Sequence, residues 1–72
     1  MARFEVSTWY PCDGLSFDRD EVAFSAAGRE SDDSGWGCGE REHSWTCKTK
    51  STAEKMKRAL EGAGFDVHVM EY

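Results

Sequence analysis

The chain lacks every short motif that announces chemistry. No phosphate-binding loop is present, because the glycine-rich run at 35–39 is followed by neither a helix nor a lysine. No apolar run approaches the roughly 20 residues that cross a bilayer. The amino terminus alternates in polarity where a secretory signal would be basic, then apolar, then small. A cytoplasmic location without membrane attachment is therefore expected.

Proline occurs once, and cysteine three times, at Cys12, Cys38 and Cys47. An odd and small number of cysteines makes no disulfide framework for so short a chain, so reduced thiols are expected. Positive charge is also scarce. Nine Lys and Arg face fourteen Asp and Glu, a net charge of −5. The deficit lies in residues 1–42, where Arg3, Arg19, Arg29 and Arg41 are the only bases. Direct nucleic-acid binding needs a basic face and is excluded on this balance; a basic protein partner is not.

What is there is enough for one modest core. The 72 residues are 39% hydrophobic, too apolar for generic disorder, and read as one domain, 1–72. The most legible stretch is Ser51–Tyr72. Ser51 and Glu54 have capping-box spacing, and Ala53, Met56, Ala59, Leu60 and Ala63 form one helical stripe. Gly64 is placed as the left-handed stop, and Phe65, Val67 and Val69 then alternate as a strand.

Upstream, Ala2–Tyr10 alternates as a first strand that Pro11–Gly14 turns aside. Glu21–Arg29 reads as a second strand, with Val22, Phe24 and Ala26 on one face. Residues 30–39 read as a loop or a flexible hairpin tip, and Arg41–Lys50 as a third strand. The fold class expected is α+β: a small three- to four-stranded, mainly antiparallel sheet in the order β-β-β-α-β, with one helix packed on one face. The first three strands are expected as a meander, with the last beside the first and parallel to it.

Two chemical constellations are testable. Cys12, Cys38, His43 and Cys47 are all zinc-competent, so a structural zinc module is the alternative reading, although paired C-x2-C knuckles are missing. His43 and Cys47 as a catalytic pair would lie about 13 Å apart on one strand face, beyond hydrogen-bond reach. Paired acids such as Asp18 with Asp20 read as solvated turn charges. No cofactor is implied, and the chain is not expected to be an enzyme.

The aromatics are more informative. One helix shields one sheet face, which leaves Trp9 on the open side and Trp36 in the loop. Tryptophans ringed by charge are typical binding anchors. The expectation is a small acidic inhibitor or adaptor that binds a protein partner through Trp9 and Trp36 and through Asp18, Asp20, Glu21, Glu30, Asp32 and Asp33. In one form these acids replace phosphates in a basic groove. In general character, being tiny, acidic and without catalytic residues, the chain is similar to phage-encoded inhibitors of host defence, including anti-CRISPR proteins. That likeness is one of class, not of motif. A homodimer joined by sheet edges or open faces is a further reading.

Overall fold

The computed structural model describes residues 3–72; Met1 and Ala2, at the start of the expected first strand, lie outside them. The element order is β1 (Phe4–Pro11), α1 (Arg19–Ala27), β2 (Asp33–Gly37), β3 (Glu40–Cys47), α2 (Lys50–Gly62) and β4 (Asp66–Glu71). The four strands form one sheet in the order β2-β3-β1-β4, and every neighbouring pair is antiparallel. Two β-α-β units are thus interlocked, each with a strand of the other between its own pair. This is the connectivity of the ferredoxin-like plan.

The α+β class holds, and three details of the expected order change. Glu21–Arg29 belongs to a helix and the turn after it, not to a strand. Alternation of Val22, Phe24 and Ala26 imitates a strand, but Ala23, Ala26 and Ala27 favour a helix. Asp20 and Glu21 sit in the first turn, where negative charge suits the helix dipole. The helix stops at Gly28, whose N–H donates to the Phe24 carbonyl.

The second change follows from the first. Replacing a strand by a helical crossover removes one chain reversal, so β4 lies beside β1 as expected but antiparallel to it. The expected meander disappears too, because β3, not β2, is the neighbour of β1. The third change is β2 itself, an exposed edge strand within the stretch read as a loop. It is joined to β3 by the two-residue turn Cys38-Gly39. Both residues have positive φ, 55° and 80°, as the type I′ hairpin turn requires.

The carboxy-terminal unit is nearly as expected. The cap of α2 is Thr49 rather than Ser51: Thr49 has extended backbone and its hydroxyl accepts from the Thr52 N–H at 3.2 Å. Ala53, Met56 and Leu60 are buried, and Gly64 takes the left-handed conformation that follows the helix.

Both helices cover the same face. Phe4, Val6, Thr8 and Tyr10 of β1 and His43, Trp45 and Cys47 of β3 are buried under them, with Ala23, Ala53, Met56, Leu60 and Phe65 from above. Phe24 of α1 packs edge-on against His43 and Trp45 at 4.9 and 6.5 Å. Among the described residues no helix covers the opposite face.

Candidate functional site

Strict alternation along the strands decides what the uncovered face presents. Antiparallel partners share a face, so the register gives the rows directly. One row runs Asp66–Trp9–Glu42–Gly35 across β4, β1, β3 and β2; the next runs His68–Ser7–Ser44–Asp33. Met70, Glu5 and Thr46 form a third. Within the strands this face therefore carries Glu5, Asp33, Glu40, Glu42 and Asp66 and neither lysine nor arginine; a base beside it, Arg3 just before β1, lines a hollow with Glu5 and Thr46 at the far end from Trp9.

Trp9 is half-buried on this face, on the inner strand β1 opposite the start of β4. Beside it is a cleft of about 410 Å³ lined by Trp9, Gly35, Trp36, Gly37, Cys38, Glu40 and Glu42. Glycine at 35 and 37 leaves room where side chains of β2 would stand. The cleft thus offers an indole and two carboxylates, the combination that holds a lysine or arginine side chain through a cation–π contact and charge-assisted hydrogen bonds.

The other residues expected at a site are spread more widely. Trp36 shares its face with Arg41, on the helix side. Its Nε1 donates to the Cys12 carbonyl at 3.0 Å, its ring lies over Gly14, and it is 51% exposed. Trp36 thus borders the cleft beside Trp9 while its ring is held against Cys12 and Gly14. Asp18 precedes α1 and borders a hollow of about 530 Å³ shared with Cys12, Asp13 and Arg19. Glu21 and Glu30 are exposed on the helix side and in the α1–β2 loop. Asp33 is on the uncovered face. Asp32 binds Arg29 at 2.6 Å and accepts from the Thr46 N–H at 2.7 Å, so it anchors the loop to β3.

Asp20 is turned inward and is not a free surface charge. Its carboxylate accepts from the Tyr10 hydroxyl, from Arg41 Nη2 at 2.9 Å and from His43 Nε2 at 2.8 Å. Burial pushes this carboxyl up, but the bonds from Arg41, Tyr10 and His43 outweigh it and hold Asp20 at about 2. Burial, and then the bond to Asp20, raise the Tyr10 hydroxyl well above the usual phenol range. The other nitrogen of His43, Nδ1, is 3.0 Å from Ser31 Oγ. No buried side-chain nitrogen or oxygen among the described residues lacks a partner.

This Ser31–His43–Asp20 chain escaped the sequence reading for a plain reason. Its members come from a loop, β3 and α1, and reading α1 as a strand put Asp20 in a turn. The available signal was a lone histidine on the apolar face of β3, which demands buried polar partners.

The zinc alternative does not survive the geometry. Cys47 pairs with Phe4 at one end of β1, whereas Cys12 follows Pro11 at the other, roughly 25 Å away at strand rise. Both nitrogens of His43 are engaged. Among the described residues no group of three His, Cys, Asp or Glu side chains is placed to hold a metal ion. No helix among them is long and apolar enough to cross a membrane.

Comparison with protein-family models, with curated proteins and with solved structures finds no match for this chain. The ferredoxin-like plan hosts many unrelated activities, so the connectivity does not identify a function.

Proposed function

We propose that this chain is a small protein-binding domain, an inhibitor or adaptor acting in the cytoplasm, whose site is the uncovered face of its sheet. The observation that carries this reading is the setting of Trp9, flanked across the strands by Glu42 and Asp66 on a face whose strands carry no lysine or arginine. Nucleic-acid-binding sheets pair such aromatics with basic residues so that bases stack while phosphates are neutralised. Here the flanking charge is reversed, so the face repels phosphates and suits the basic groove that would bind them. In its most specific form the domain is a nucleic-acid mimic of the kind used by phage-encoded inhibitors. Glu40 and Glu42 meet arginine or lysine of the partner, and Trp9 supplies the apolar contact.

The test is affinity capture from host lysate with three forms of the full chain: wild type, Trp9→Ala, and the double variant Glu40→Lys with Glu42→Lys. The reading expects a basic partner that is displaced by added double-stranded DNA and retained at least about 10-fold less by both variants. Undiminished capture by both variants, with wild-type circular dichroism, would overturn it.

A further inference from the structure

The polar cluster between α1 and the sheet is arranged to do more than join them. It is a continuous chain from a half-buried hydroxyl, Ser31 Oγ, through the fully buried ring of His43 to the carboxylate of Asp20, with steps of 3.0 and 2.8 Å. An ionised carboxylate only accepts, so His43 presents N–H at Nε2. In the neutral ring Nδ1 is then a lone pair, and the Ser31 hydroxyl donates to it. Arg41 and the Tyr10 hydroxyl fix the Asp20 carboxylate from its other sides. The order is nucleophile, base and orienting acid, with the two ring nitrogens exchanged relative to the familiar serine hydrolases.

We propose that Ser31 is an activated nucleophile that takes the acyl group of a small activated ester. Ser31 Oγ attacks the carbonyl carbon and its proton passes to His43 Nδ1. The tetrahedral adduct collapses, the carbon–oxygen bond to the leaving alcohol breaks, and that alcohol takes the proton from Nδ1. Water then attacks the acyl-serine, again giving its proton to Nδ1, and the carboxylic acid leaves as Oγ recovers a proton. Glu30, exposed next to Ser31 in the chain, favours neutral or cationic esters over anionic ones. Asp20 is a positioning residue here, acting through His43. This assignment does not depend on the binding role of the opposite sheet face.

The experiment is labelling of the full chain with a neutral fluorophosphonate, in which Oγ displaces fluoride from phosphorus, followed by peptide mapping. The expected result is one adduct, at Ser31, formed at least about 100-fold faster than any at the exposed Ser51, and lost in Ser31→Ala. No adduct at Ser31, or equal labelling of exposed serines, overturns the proposal. A second measurement uses Ser31→Cys with iodoacetamide at neutral pH. Activation by His43 makes the introduced thiol react at least about 10-fold faster than the exposed Cys38 of the same chain. A slower reaction than at Cys38, as burial alone dictates, also overturns it.

Discussion

His43 Nε2 lies 2.8 Å from Asp20 Oδ1, which ties the first helix to the third strand through a ring with no solvent exposure. Asp20 also accepts from Arg41 and from the Tyr10 hydroxyl, so removing the carboxylate leaves three cationic or polar groups without their acceptor.

That relationship sets an acid limb of stability. Because Asp20 is held at about 2, below the ordinary carboxylate range, its contribution is complete above about pH 4 and is lost as pH falls toward 2. Asp20→Asn is expected to cost about 3 kcal/mol at neutral pH and to flatten the decline between those limits. Urea denaturation at a series of pH values measures both effects.

The start of α2 gives a prediction that separates two neighbouring hydroxyls. Thr49→Ala removes the acceptor for the Thr52 N–H and should cost about 1 kcal/mol. Ser51→Ala, one residue inside the helix, should change stability by less than about 0.5 kcal/mol. Thermal melts of the two variants decide between the caps.

Gly14 is constrained twice. Its φ is 83°, and a Cβ there would lie 2.8 Å from the Trp36 ring. Gly14→Ala should cost about 1–2 kcal/mol and push the indole outward, breaking the bond from Nε1 to the Cys12 carbonyl. A red shift in tryptophan emission together with a lowered melting temperature is the expected signature.

The thiols should react in an order set by burial. Cys38 is exposed at the hairpin tip, Cys12 is half-buried, and Cys47 is buried. Burial also pushes the Cys47 thiol up, so little of it is thiolate near neutrality. Iodoacetamide followed by mass spectrometry should modify Cys38 first and Cys47 only after denaturant is added.

The sequence alone determined the elements whose pattern matches their period. Alternation in β1 and β3 set which residues face the core, and the stripe of α2 with its glycine stop set the carboxy-terminal unit. Trp9 opposite the core side followed from that alternation, since a side chain in a strand has only two faces to choose from. The tertiary structure decided the rest. α1 is helical through burial of Ala23, the packing of Phe24 on His43 and Trp45, and the bonds of Asp20, none of which a local pattern contains. β2 is a strand because β3 offers it an edge and Cys38-Gly39 turns it there, despite two glycines that disfavour strands on their own. The meeting of Ser31, His43 and Asp20 has the same origin: residues far apart in the chain are neighbours only after the helical crossover folds back over the sheet.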